Sequence, residues 1–352
     1  MTAHNQPIII GGMFALPEFC KPPLRQVKYD FLSPSSLFLA NARSSITILA
    51  NILQSKTVWM PSYFCPVMLQ ALKRQGVEIQ FFPVDLHLRI EITDWISRIN
   101  KNDLVILIDY FGFPTELSIA EKIKARQAWI LEDASQAMLT YERLPLADFL
   151  IISPRKFTGV PDGGVLVSKC SIKFDEIALE DAPLEWQVDS LRASVLRKGF
   201  DRGLTQDRMW YTLFRKQEED IPIGYFSMSD ISRYLLENII DYTEIAGKRR
   251  ENYLFLLERL KPWAMYKTLN DSVVPLGFPI VLENRDAIRQ KLFAECIYPP
   301  VHWEIKDAVP SVFEHSHWLS AHIMTLPCDQ RYNFEDMERL CILFQKLAER
   351  PA

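Results

Sequence analysis

Glycine is scarce in this chain, with 12 residues among 352. They form no G-x-G-x-x-G and no phosphate-cradling P-loop, which argues against a nucleotide cofactor held by a glycine-rich turn. The six cysteines, Cys20, Cys65, Cys170, Cys296, Cys328 and Cys341, form no C-x-x-C pair and fit no zinc spacing. They read as scattered reduced thiols of a cytosolic protein. His315 and His317 flank Ser316 beside Trp318, a pattern of a polar loop rather than a metal site, and no metal is expected. No apolar run approaches the roughly 18–20 residues that cross a bilayer. The opening "MTAHNQPIIIGGMF" has no charged stretch ahead of an apolar core, so no signal peptide is expected. The formal net charge of -4 argues against a nucleic-acid binder, which needs a basic face. Internal repeats and low-complexity segments are also missing.

What is present is an ordinary globular composition, 48% apolar and 24% charged. The length suggests two domains. After a Pro-rich, irregular arm (1–35), strand and helix patterns alternate. "NARSSITILANIL" (41–53) places Ile46, Leu49, Ile52 and Leu53 on one helical face. "TVWMP" is a strand, "PVMLQALKRQG" a helix closed by basic residues and Gly76, and "VEIQFFPV" a strand. "ITDWISRINK" is a short helix with Thr93 or Asp94 as its cap. "LVILIDYFG" is a continuous apolar strand of the kind a parallel sheet buries on both faces. A helix (115–126) and the strands "AWILED", "DFLIIS" and "GGVLVSK" follow. This alternation predicts an α/β fold with a mostly parallel sheet. From 229 to 260 the spacing predicts one long helix, with a bend at Gly247. We expect a large α/β domain over 1–245 and a smaller α+β domain over 246–352.

In open α/β sheets, ligands bind beyond the carboxyl ends of the strands. Three features fall there or beside it. Asp133 ends one strand, where an acid commonly caps a helix. Lys156 follows another, where a lysine is commonly just solvated. Arg43-Ser44-Ser45 opens a helix, whose free N–H groups attract a phosphate unless Ser44 simply caps it. Pyridoxal phosphate needs all three together: an amine for a Schiff base, a carboxylate facing the pyridine nitrogen, and an anion site for its phosphate.

The segments "NARSSI" (41–46), "VWMPSYFCPVMLQALKRQGVEIQFFPVD" (58–85), "IDYFGFPTE" (108–116), "EDASQA" (132–137), "SPRKFTGVPDGG" (153–164) and "TLPCDQRYNFEDMERL" (325–340) occur in this order. Together they resemble the DegT/DnrJ/StrS family of pyridoxal-phosphate sugar aminotransferases. The resemblance implies a fold type I architecture with a seven-stranded-type sheet, a homodimer, and an amino group passed from an amino acid, glutamate, to a keto sugar linked to a nucleotide. It implies that Lys156 is the Schiff-base lysine and that, once freed, it acts as general base and acid. Asp133 takes the place of the pyridine-nitrogen carboxylate, and Gln136 that of the contact to the ring hydroxyl. Arg43 and Ser44 match the phosphate-holding helix start, and Ser153 the serine that adds a hydroxyl to the phosphate. Tyr63 and Phe64 fall on the ring-stacking segment, with Cys65 next to them.

The chain also departs from the family. Lys156 follows Ser153 at a shorter spacing, and "GYFSMS" (224–229) lacks the family's asparagine that reaches the neighbouring subunit's phosphate. Arg155, beside the lysine, is either a surface cation or a replacement for a lost phosphate contact. The segment 188–222 carries no motif of the family. His302 and Trp303, in "YPPVHWEI", read either as substrate contacts or as a packed loop. Two rival functions remain open: a pyridoxal-phosphate-dependent sugar dehydratase, whose relatives typically lack the lysine, and a binding or regulatory protein with a decayed site.

Overall fold

The computed structural model describes residues 8–18, 29–73 and 75–348. Cys20, the first seven residues and part of the 1–35 arm therefore lie outside the described residues. Strands β1 (Ile10–Gly11) and β2 (Ser36–Leu39) lead into helix α1 (Ala42–Leu53). Then come β3 (Thr57–Pro61), α2 (Met68–Lys73), β4 (Glu78–Phe82), α3 (Trp95–Arg98), β5 (Leu104–Ile108), α4 (Leu117–Lys124), β6 (Trp129–Asp133), β7 (Phe149–Ile152) and β8 (Gly164–Ser168). Next is β9 (Glu180–Asp181), followed by two helices that cover most of the motif-free segment, α5 (Leu184–Asp201) and α6 (Met209–Glu219), and then β10 (Phe226–Ser227). The chain ends with α7 (Asp230–Asn238), α8 (Tyr242–Leu260), β11 (Phe278–Val281), α9 (Arg285–Ala294), β12 (Ile297–Tyr298), α10 (Glu314–His322), β13 (Ile323–Leu326) and α11 (Phe334–Leu347).

Among the described residues, nine strands form the main sheet, in the order β4-β3-β5-β6-β7-β8-β2-β10-β9. The run from β4 to β7 is parallel, and β8 and β2 are antiparallel to their neighbours. The two-residue strands β10 and β9 extend the expected seven-stranded sheet at one edge. The reversal after β7 has a simple cause: the connection 153–163 is too short for a parallel crossover, so the chain returns as a hairpin. Both sheet faces are covered, as the apolar run 104–108 requires. Leu104, Ile106 and Ile108 join a core with Ile46 and Leu49 of α1. Val105 and Leu107 join another with Trp95, Ile119 and Ile123. Each such side chain contributes about 1.5–3 kcal/mol on burial.

A further core gathers Phe278 and Ile280 of β11, Met324 and Leu326 of β13, Tyr253 and Leu256 of α8, and Leu340 and Phe344 of α11. Ile10 belongs to it. Its strand β1 lies parallel to β12, with Ile10 beside Ile297 and Gly11 beside Tyr298. Arg331 donates to the carbonyls of Gly12 (3.2 Å) and Met13 (3.0 Å), and the Tyr332 hydroxyl accepts from Gly11 N–H at 2.7 Å. At the start of α11, Asn333 and Asp336 form a reciprocal capping box.

The predicted single helix over 229–260 is instead two. α7 stops at Asn238, and Asp241 restarts the chain as α8 by accepting the Glu244 N–H at 2.9 Å. Gly247 lies inside α8 rather than at the break. Apolar residues continue at helical spacing across 239–242, so periodicity alone hides an interruption made by one capping aspartate.

Asp109, just beyond β5, is fully buried. Its Oδ1 accepts the Thr115 N–H at 2.9 Å, while Oδ2 has no partner. Burial, and then the neighbouring Glu132 charge, push its carboxyl well above the ordinary range. The folded state thus holds a proton that the unfolded chain releases. This group therefore costs stability as pH rises above the unfolded carboxyl value of about 4. Asp109→Asn keeps the acceptor and removes the titration. Relative to wild type, the variant should gain on the order of 1 kcal/mol as pH rises from about 4 to about 8. Denaturant unfolding at several pH values checks this, and a constant difference would contradict it.

Candidate active site

The register sets Ile108 beside Asp133 and Asp133 beside Ile151, so β5, β6 and β7 end side by side. A cavity of about 1260 Å³ opens there. Arg43, Cys65, Asp133, Gln136, Ser153 and Lys156 all contribute to its wall. The segment 9–14, fastened by Arg331 and Tyr332, lines part of its rim through Ile9, Gly11, Gly12, Met13 and Phe14.

Lys156 sits in a short 3-10 turn, Pro154–Lys156, directly after β7. Its N–H donates to the Ser153 carbonyl at 3.1 Å. Two residues to which the sequence assigned no role in the site fix this turn from the C-terminal half. Arg249 stacks over Phe157 at 4.4 Å and donates to the carbonyls of Leu276 (2.8 Å), Pro275 (3.2 Å) and Lys156 (3.4 Å). Gln330 donates to the Phe157 carbonyl at 2.7 Å. Their only sequence trace is a basic residue inside a helix and a glutamine ahead of the capping box. Among the described residues, the Lys156 ammonium takes no hydrogen-bond or ion-pair partner.

The Oδ1 of Asp133 accepts the Ser135 N–H at 2.9 Å in a local turn, and no helix follows for it to cap. Gln136 is buried, and its Oε1 accepts the Phe111 N–H at 2.8 Å. Its Nε2 is buried with no partner, an orphan donor on a residue of the cavity wall. His302 and Trp303 reach the same wall. The His302 Nδ1 lies 2.9 Å from Thr325 Oγ1. Burial, and then the Lys156 charge, pull the His302 ring down to about 3, so it is neutral at ordinary pH. Burial pushes the Cys65 thiol up, against the pull of Lys156.

Three expected contacts lie elsewhere. Tyr63 and Phe64 are fully buried and do not line the cavity. Phe64 stacks on Phe81 at 5.7 Å, and the Tyr63 hydroxyl donates to the His302 carbonyl. Both rings are drawn into the core around α1 and β3, which leaves Cys65 as the member of this segment on the wall. Ser44 is buried behind the wall. Its N–H is taken by the Asn41 Oδ1 at 3.1 Å, and its hydroxyl accepts from Gly224 N–H at 3.2 Å. Asn41, not Ser44, is thus the cap of α1.

Arg43 and Arg155 meet at one carboxylate. Glu218, in the last turn of α6, accepts from Arg43 at 2.8 Å through Oε2 and from Arg155 at 2.7 Å through Oε1. Burial alone would raise the Glu218 carboxyl, but Arg155 and Arg43 hold it below the usual range. All three residues line the cavity. Gly164 explains how β8 can lie so close to the start of α1. A Cβ there would fall 2.1 Å from the Ala42 nitrogen.

No family model matches the chain, and no curated protein matches it. Solved structures do. The PLP form of the putative sugar aminotransferase Spr1654 from Streptococcus pneumoniae superposes with a TM-score of 0.67 at 13% identity, covering 95% of this chain and 98% of that one. PseC from Helicobacter pylori, an aminotransferase involved in the biosynthesis of pseudoaminic acid, gives 0.65 at 17% identity, over 89% and 86%. A DegT DnrJ EryC1 StrS aminotransferase from Brucella abortus gives 0.64 at 17%, over 90% and 86%. The chain has the fold of these sugar aminotransferases. At such identities the likeness speaks for the aminotransferase fold, and residue roles rest on the geometry of this chain. Among the described residues, no helix is long and apolar enough to cross a membrane, and no group of His, Cys, Asp and Glu could hold a metal ion.

Proposed function

We propose that the chain is a pyridoxal-phosphate-dependent aminotransferase that moves an amino group from an amino acid, glutamate, to a keto sugar linked to a nucleotide. One observation carries the reading: Lys156 and Asp133 line the same cavity, with the orphan Gln136 donor on its wall. This donor set fits the cofactor. When bound, pyridoxal phosphate supplies a carbonyl that takes up the amino group and a ring that withdraws electrons from the reacting carbon.

The residues would divide the remaining work. Lys156 holds the cofactor through its Nζ and, once released, moves a proton at the substrate carbon that bears the amino group. Asp133 would hold its carboxylate against the ring nitrogen and keep that nitrogen protonated. Gln136 Nε2 would donate to the ring hydroxyl, which would give that buried donor a partner. Ser153 offers a hydroxyl on the phosphate side. Neutral His302 closes one wall without adding a charge that would compete with Lys156. We also propose a homodimer, a division of the chain at 245 into a large and a small domain, and a cytoplasmic setting. Sedimentation at micromolar concentration tests the first of these.

Asp133→Asn tests the chemistry. The amide is nearly isosteric but holds no charge against a protonated ring nitrogen. The half-reaction with glutamate should slow by about 10²–10³-fold with the cofactor still bound. A rate near that of wild type, read by stopped-flow absorbance, would remove Asp133 from the role.

A further inference from the structure

Arg155 and the segment 188–222 find no place in the family resemblance, yet the structure joins them. Glu218 is their meeting point: one carboxylate spans two guanidiniums, from the start of α1 and from the turn that carries Lys156. Each arginine is largely covered, with side-chain exposures of 13% for Arg43 and 18% for Arg155. The Nε of Arg155 is buried and has no partner. Without Glu218, two cations would face each other in a cavity wall with nothing to offset them. With it, the pair keeps a net positive charge and, at the Arg155 Nε, a buried donor unspent.

The serine-to-lysine spacing is short, and the Ser44 N–H is already committed to Asn41. The phosphate end of the cavity thus has one helix N–H fewer to offer than an uncapped helix start would, and its added charge must come from side chains. A guanidinium presents paired donors that match phosphate oxygens. We propose that Arg43 and Arg155 form the phosphate-monoester site of this cavity, and that Glu218 is a tethered anion that fills it when no phosphate is bound. An arriving phosphate takes over the two guanidiniums, and the Glu218 carboxylate, repelled by the new negative charge, swings off with the last turn of α6. This deepens the proposed function by assigning its phosphate end, and it uses a side chain from the segment that carries no family motif.

Inorganic phosphate is the probe, since it needs neither Lys156 nor Asp133. Equilibrium dialysis compares wild type, Glu218→Gln and Arg155→Gln. Removing the carboxylate charge from beside the site should tighten phosphate binding about tenfold or more, and removing Arg155 should weaken it by a similar factor. Pyridoxal, which has no phosphate, should bind wild type and Glu218→Gln alike. Equal or weaker phosphate binding by Glu218→Gln, or unchanged binding by Arg155→Gln, overturns the proposal. Should Glu218→Gln not fold, hydrogen exchange on wild type decides. Added phosphate should speed exchange across 209–219, and unchanged or slower exchange overturns the release of α6. If wild type binds phosphate in this pattern but gains no visible absorbance band with pyridoxal phosphate, the aminotransferase reading falls and the phosphate site stands.

Discussion

Replacing Lys156 by alanine should abolish both the visible absorbance band formed with pyridoxal phosphate and transamination itself, with the fold intact. The loss should reach at least about 10⁴-fold, because one amine serves both as anchor and as proton carrier. The stability cost is expected to be small. The ammonium has no protein partner among the described residues, and the turn is held through main-chain atoms by Arg249 and Gln330. Thermal unfolding of the variant should therefore stay close to that of wild type. Spectral titration with the cofactor and a glutamate-dependent amino-transfer assay check both halves. Transamination retained by the variant would end the case for Lys156 and for the reading built on it.

Gly164→Ala should give the largest stability loss of the substitutions considered. Its new methyl would meet backbone on α1, 2.1 Å from the Ala42 nitrogen, 2.2 Å from the Asn41 carbonyl carbon and 2.5 Å from the Ala42 Cα. Backbone cannot turn aside as a side chain can, so β8 or α1 must move. β8 is anchored against retreat, since Gly164 pairs with Leu39 and the Gly163 N–H donates to the Ala40 carbonyl at 2.9 Å. We expect a loss of about 3 kcal/mol or more. Cofactor affinity should fall with it, because the same shift parts the start of α1 from the lysine turn. Gly247→Ala is the matched control. It lies inside α8 with open space around the added Cβ, and should be stabilising by about 0.5–1 kcal/mol. Denaturant unfolding of both checks the pair, and a Gly164→Ala protein as stable as wild type would contradict the close approach.

The sheet was legible in the sequence because burial on two faces writes an unbroken apolar run such as 104–108. The placement of Lys156 and Asp133 beside strand ends was legible because strand ends can be located from those runs. The stretch 62–65 was not, because an irregular connection has no period that tells which of Tyr63, Phe64 and Cys65 faces inward. The break between α7 and α8 stayed hidden because Ile239 and Tyr242 keep the helical spacing across it. Glu218 could not be singled out from sequence, because an acid in the charged last turn of α6 reads as solvated until Arg43 and Arg155 are seen beside it. Arg249 and Gln330 act on a turn far from them in the chain, and no local pattern reports such contacts.

The pairing of Ile10 with Ile297 has a bearing on biosynthesis. The rim of the cavity formed by residues 9–14 leaves the ribosome long before its strand partner and the Arg331–Tyr332 clasp are made. The sheet can assemble during translation, whereas the pocket wall must wait for residues 297–332. A nascent polypeptide therefore carries an open, unfinished binding cleft until the segment bearing Arg331 and Tyr332 has emerged.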